Sequence, residues 1–299
     1  MKRRGFLLGA AALLATAGVA EARMHAPYRG HRIMPAGPSE EGPISAFTTP
    51  EMAYSLRKIR SGYTGSALLR LRRASDNAEL DIGFLGFTSF TGAPIDLAQA
   101  NSHCAATTCH VKVWYNQGTG GSALDAIQLT TANQPAFIFN CIGAQPCLRS
   151  TTVAMKLQST GSYSMTDPKH SISTVGRRNS GVNTCFWIAP SAALQGRIST
   201  GTSGNWLTGS TTTFFSAPAT EAALHAGFGS VDGAASVLRI DSAETTGTAA
   251  GAINTGIMTV AQGAGTTSCD TTEGIFWPNL AGDSAMRTAV TANQRAYWP

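Results

Sequence analysis

The sequence predicts an all-β protein, an antiparallel sandwich over residues 46–299 with a short helix before it and a longer helix at its end. Three observations predict it. Short apolar and β-branched runs recur along the chain between Gly, Ser and Thr turns. Where alternation is visible its period is two, as a half-buried strand requires. Spacing suited to a helix occurs only near the two ends.

Thr49-Pro50-Glu51 reads as a helix entry, with Met52, Leu56 and Ile59 on one face and Ser61-Gly62 as its stop. Leu69 and Leu71 then alternate with Arg70 and Arg72, and Val111, Val113 and Tyr115 alternate with Lys112 and Trp114, which gives two half-buried strands. Further strands are expected at 136–140, 171–175, 184–189, 212–216, 222–228, 235–241, 257–262 and 274–277. Asp232-Gly233, between two of them, is a hairpin-turn signal. Asp283-Ser284 caps a final helix that carries Met286, Ala289, Val290, Asn293 and Tyr297 at helical spacing.

The N-terminus is read as an export signal. Basic residues Lys2, Arg3 and Arg4 precede an uncharged run over 5–20, and Ala20-Glu21-Ala22 is a small-x-small cleavage site, so residues 1–22 are expected to be removed. Arg3-Arg4-Gly5-Phe6-Leu7 resembles the twin-arginine export pattern, with Sec export as the alternative. Residues 23–45, rich in Pro, Gly, Arg and His, are expected to form a flexible tether. The expected location is periplasmic or secreted. No later apolar run is long enough to span a bilayer as a helix.

Removing the signal leaves 19 basic against 16 acidic residues, a net charge of +3. A nucleic-acid binder would carry a dense basic stripe, whereas the basic residues fall in short groups such as Arg70, Arg72 and Arg73 on a strand and Arg177-Arg178 in an expected turn, so nucleic acid is not an expected partner. All six cysteines follow the signal, and an even count in an exported chain argues for disulfides. Spacing favours Cys104–Cys109 and Cys141–Cys147 as local staples and leaves Cys185–Cys269 to join distant strands. No Cys-x-x-Cys or His-x-x-x-His pair supports a metal, and no phosphate loop or Gly-x-Ser-x-Gly elbow supports nucleotide or serine-nucleophile chemistry, so no cofactor is expected.

Tyr63-Thr64-Gly65, Leu71-Arg72-Arg73-Ala74-Ser75-Asp76-Asn77, Asp81-Ile82-Gly83, the Cys104-x4-Cys109 staple and Trp114-Tyr115-Asn116-Gln117 together resemble the catalytic domain of alpha-L-arabinofuranosidase B over about residues 54–139. The resemblance implies a concanavalin A-like jelly roll and a carbohydrate-active protein. Val231-Asp232-Gly233, Leu238-Arg239-Ile240-Asp241 and Glu273-Gly274 look like the closing strands of such sandwiches. The family's catalytic strings do not carry over. No Met-Glu-Ala-Ile-like strand and no Gly-Gly-Asp-Asn-like loop occurs, Asn116 replaces an Asp, and 176–220 and 261–268 hold no carboxylate.

Glycoside hydrolysis uses two carboxyl groups on either side of the scissile bond. Glu273 and Glu221 are the candidates left for a catalytic role, Asp270 being an unsuited partner three residues from Glu273 on the other strand face. Binding asks less. Trp206, in a small polar loop, is a candidate sugar platform with a core role as its alternative, and Asn116 and Gln117 are candidate hydrogen-bond partners that could equally fix their turn. Trp187 and Trp277 read as core. The expected partner is a polysaccharide. Recognition is preferred over hydrolysis by an alpha-L-arabinofuranosidase-type enzyme, with a non-enzymatic envelope or appendage protein as a third reading.

Overall fold

The computed structural model describes residues 44, 47–86, 92–163, 165, 167–179, 185–189, 197–200, 205–209, 214–220, 222–249, 256–263 and 268–298. The expected signal, most of the expected tether, Glu221 and the side chain of Trp187 lie outside them. Described Ile44, at the expected tether's end, is only 2% exposed and packs with Ala53, Ile59 and Trp277.

In chain order the elements are β1 (Met52–Ser55), β2 (Leu69–Arg73), β3 (Glu79–Ile82), α1 (Leu97–His103), β4 (Cys109–Trp114), β5 (Ala126–Ile127), β6 (Ala136–Ile142) and β7 (Gln145–Ser150). They continue as β8 (Leu157–Tyr163), β9 (His170–Arg178), β10 (Phe186–Ala189), β11 (Arg197–Thr200), β12 (Trp206–Gly209), β13 (Phe214–Ala217) and β14 (His225–Val231). The last are β15 (Gly233–Ile240), β16 (Ala243–Ala249), β17 (Gly256–Gln262), β18 (Cys269–Pro278) and α2 (Ser284–Tyr297). Every strand pairing among the described residues is antiparallel.

Pairing gives two layers. One runs β13-β12-β11-β10-β17-β8-β5-β4-β2-β3, and the other runs β16-β15-β14-β9-β18, with β1 and β7 sharing the outer edge of β18. The β6–β7 hairpin joins them, since β6 pairs with β4 while β7 pairs with β18. The antiparallel sandwich expected from sequence is therefore the fold, with one short and one long helix. Apolar side chains from both layers, among them Trp114, Leu148, Leu157, Ile172, Trp206, Leu238, Val260 and Phe276, fill the space between them. Helix α2 covers the outer face of the second layer, where Met286 and Val290 meet Phe228, Ile275 and Trp277. Its start is capped as expected, the Asp283 carboxylate accepting from Met286 N at 2.8 Å.

The expected helix at 49–62 is replaced by β1, and the short helix lies instead at α1. Met52 and Tyr54 enter the core between the layers, while Ala53 faces the α2 side, so β1 is buried on both faces and carries no period-two alternation. Its chance spacing with Leu56 and Ile59 imitated a helix. Arg177 and Arg178 belong to β9 and not to a turn, and Arg72 is 6% exposed, hydrogen-bonded to Gln134 and Asn77, where a solvated strand face was expected.

Close layer contact needs small residues on β14. A methyl on Gly227 would stand 2.3 Å from Trp206 Cζ3, and one on Gly229 would stand 2.3 Å from Thr208 Oγ1. Gly227→Ala is expected to lower the unfolding free energy by about 1–3 kcal/mol through overpacking. Denaturant titration with an unchanged m value checks it.

All three expected disulfides are present, with Cα–Cα distances of 5.7 Å for Cys104–Cys109, 5.6 Å for Cys141–Cys147 and 5.7 Å for Cys185–Cys269. Cys185, just before β10, and Cys269, in β18, tie one layer to the other.

Candidate functional site

Strand β4 ends at Trp114, which is fully buried, and the chain then turns back over β1 through 115–124. Two amides fix this turn. Asn116 Oδ1 accepts from Ala53 N at 2.8 Å and from Gly118 N at 2.9 Å, while its Nδ2 donates to Glu51 O at 3.1 Å. Gln117, with no exposure, accepts from Ile59 N at 2.9 Å and donates to Arg57 O at 2.9 Å. Asn at 116 suits this place because an amide accepts and donates at once, which an aspartate cannot. Asn116 and Gln117 thus hold the turn, and their amides are committed to backbone.

The fixed turn forms one wall of an open cleft of about 540 Å³. Tyr115, Asn116, Gly118, Thr119, Gly121 and Ser122 line it from one side, Asp125 follows, and 60–65 contribute Arg60, Gly62, Tyr63, Thr64 and Gly65 from the other. This volume is in the range of small-ligand sites. Asp125 accepts from Asn116 N at 2.7 Å, and burial pushes its carboxyl up to about 6. Tyr63 is pushed up to about 12, by burial first and then by the charges of Asp125 and Asp81. The Tyr115 hydroxyl donates to Asp81 Oδ1 at 2.7 Å, and Arg70 grips Asp81 through Nε at 2.7 Å and Nη2 at 2.8 Å. That grip holds Asp81 below its usual value against partial burial. Asp81 is exposed and is not among the residues that line the cleft, so Asp125 is the carboxyl of the cleft.

Glu273 lies elsewhere, in β18, without any exposure. Ser55 Oγ donates to it at 2.8 Å, Arg57 Nε at 2.9 Å and Nη2 at 3.3 Å, Gln294 Nε2 at 3.0 Å and Trp298 Nε1 at 3.3 Å. Burial alone would raise its carboxyl, but the Arg57 charge and these hydrogen bonds outweigh burial and lower it. Asp270 is held apart by Arg149 at 2.7 Å and Arg177 at 2.6 Å. Neither carboxylate faces the cleft.

Trp206 is a core residue. It is 2% exposed, its ring lies over Gly227, and its centroid is 5.8 Å from that of His225 in an edge-on contact. Of the two readings the sequence allowed, a sugar platform in a small polar loop or a core anchor, the burial of the indole against β14 matches the second. His225, beside Asp241 and Arg295 in a hollow of about 90 Å³, has both ring nitrogens engaged, by Asp241 Oδ2 at 2.7 Å and Thr220 O at 2.9 Å.

Residues 44–166 match the family model described as alpha-L-arabinofuranosidase B, catalytic. Among solved structures, a mutant alpha-L-arabinofuranosidase of glycoside hydrolase family 54 soaked with 4-nitrophenyl alpha-L-arabinofuranoside is similar, at 16% identity and a TM-score of 0.66 over 86% of this chain and 65% of that one. An arabinofuranosidase complexed with arabinofuranosyl-alpha-1,2-xylobiose is similar at 16% identity and a TM-score of 0.65, with the same coverage. This chain thus spans about 65% of the length of these enzymes. No curated protein matches it. The solved structures carry the fold, and the family model covers both walls of the cleft, so the resemblance to the alpha-L-arabinofuranosidase B catalytic domain holds and supports a carbohydrate-related role.

Proposed function

We propose that this chain is an exported glycan-recognising protein that holds arabinose-containing polysaccharide in the cleft between 60–65 and 115–125. The observation that carries the reading is the contrast between this open cleft, lined by Tyr63, Tyr115 and Asp125, and Glu273, which is sealed with its oxygens occupied. Tyrosine rings offer an apolar face with a polar edge, and a carboxyl group can hold a sugar hydroxyl pair. Three disulfides support maturation in an oxidising compartment, periplasmic or external, as does the signal read at 1–22.

Retention on an arabinan or arabinoxylan matrix is expected for the wild type. Asp125→Ala is expected to weaken it about tenfold, the loss of one charge-assisted hydrogen bond. Unchanged retention with an unchanged melting temperature would remove the cleft from the binding site. Hydrolysis is the second reading, favoured by the match of residues 44–166 to a catalytic-domain model and by the raised Asp125 carboxyl in the cleft. Little or no turnover of an aryl arabinofuranoside or arabinan is expected. Turnover lost in Asp125→Asn, or in Glu221→Gln, with the fold intact would establish the enzyme and replace the recognition reading.

A further inference from the structure

We infer that the cleft selects glycans bearing a carboxylate, a hexuronate substituent, and that Arg60 reads it. The inference rests on the cleft being a glycan site. Other basic side chains of the flanking segments are neutralised: Arg57 by Glu273, Arg70 by Asp81, Lys112 by Glu79. Arg60 lines the cleft and donates from Nη1 to Gln117 O at 3.1 Å, but it has no carboxylate within 4 Å among the described residues. That contact with a buried turn steers one edge of the guanidinium and leaves donors for a ligand. A planar guanidinium matches a carboxylate with two parallel hydrogen bonds, which neutral sugars cannot return.

Two neighbours keep the position open. A methyl on Gly62 would stand 3.2 Å from Arg60 Nη2, so glycine there leaves the guanidinium room. Asp125, the cleft's lining carboxyl, is pushed up to about 6 by burial, and below that pH it is protonated and does not repel a uronate. The groups around it are Tyr54, Tyr63 and Tyr115, with Asp81 beyond Tyr115 and Arg60 as the cation of the cleft; the three phenols are all held above their usual value and stay neutral through this range. Selection for the uronate is therefore strongest on the acid side of about 6 and weakens as Asp125 ionises.

The test uses the full disulfide-bonded chain and three polymers: glucuronoxylan, the same glucuronoxylan with its carboxyls chemically reduced to alcohols, and arabinan. Binding is measured at about pH 5 and about pH 7.5, on either side of the Asp125 transition. Glucuronoxylan is expected to bind about tenfold more tightly than its reduced form at the lower pH, the scale of a hydrogen bond to a charged group, with a smaller ratio at the higher pH. Arg60→Gln is expected to bring the ratio to about one and Arg60→Lys to keep part of it. Equal affinity for both xylans, a ratio that survives Arg60→Gln, or binding to arabinan alone each overturns the inference while leaving the cleft as a glycan site. Binding to none of the three polymers overturns both.

Discussion

Glu273→Gln is expected to cost about 3–5 kcal/mol of stability, the scale for removing one partner of a buried ion pair. Arg57 is 3% exposed and would keep its charge with no carboxylate to meet it. The amide would also turn a donor toward Ser55, Arg57, Gln294 or Trp298, all of which donate to Glu273 in the native protein. In a chain of this size the loss is expected to lower the melting temperature by roughly 6–20 °C. Calorimetry checks it, and a fall of under about 1 kcal/mol would contradict the geometry. Arg57→Met combined with Glu273→Leu is expected to recover only part of the loss, since it removes both charges but leaves the Ser55, Gln294 and Trp298 donors without their acceptor. The same pair makes the fold acid-sensitive. The folded Glu273 carboxyl lies below its ordinary value of 4.5, so its contribution is fully present above that pH and is lost as pH falls through the lower folded value.

Loss of the Cys185–Cys269 bridge, by Cys185→Ala with Cys269→Ala, is expected to cost about 4–5 kcal/mol. The bridge closes a separation of 84 residues, whereas Cys104–Cys109 and Cys141–Cys147 close separations of only 5 and 6. Chain entropy ranks the two short staples at about 2 kcal/mol each. Guanidinium unfolding of the three double-alanine variants checks the order. A Cys185–Cys269 variant no weaker than the other two would show that native contacts, and not restriction of the unfolded chain, set the stabilisation.

The elements legible in the sequence are those whose local chemistry agrees with their place in the fold. Strand β15 follows Asp232-Gly233, with Gly233 at φ 58°, and α2 follows its Asp283 cap, so turn and cap residues mark both. Strands β8 and β16 are not legible because their residues are largely small and polar; in β16 a ring takes the space, since a methyl on Gly247 would run into Phe215 Cγ. The site was less legible than the fold. Tyr63, Tyr115 and Asn116 carried the family resemblance, but Asp125 carried no motif, because its shifted carboxyl is a product of tertiary burial. A lone Asp after a Gly-rich turn next to tyrosines is the signal that could have found it. The place of Trp206 was left open by sequence, since the glycine that receives its ring, Gly227, lies in another strand, β14.

The pairing of β1 with β18 joins the first strand of the sandwich to its last, with Ser55 and Glu273 separated by 218 residues. Contacts of such long range form late, since the intervening loop must close before they return any free energy. The turn at 115–124 rests on β1 through Asn116 and Gln117, contacts of much shorter range that do not wait for β18. As the chain grows from its N-terminus, β1 can meet the 115–124 turn early, but among the described residues it has no strand partner until β18 has been synthesised. A chain cut short before β18 would leave β1 without its strand partner and present an apolar strand edge to chaperones and proteases.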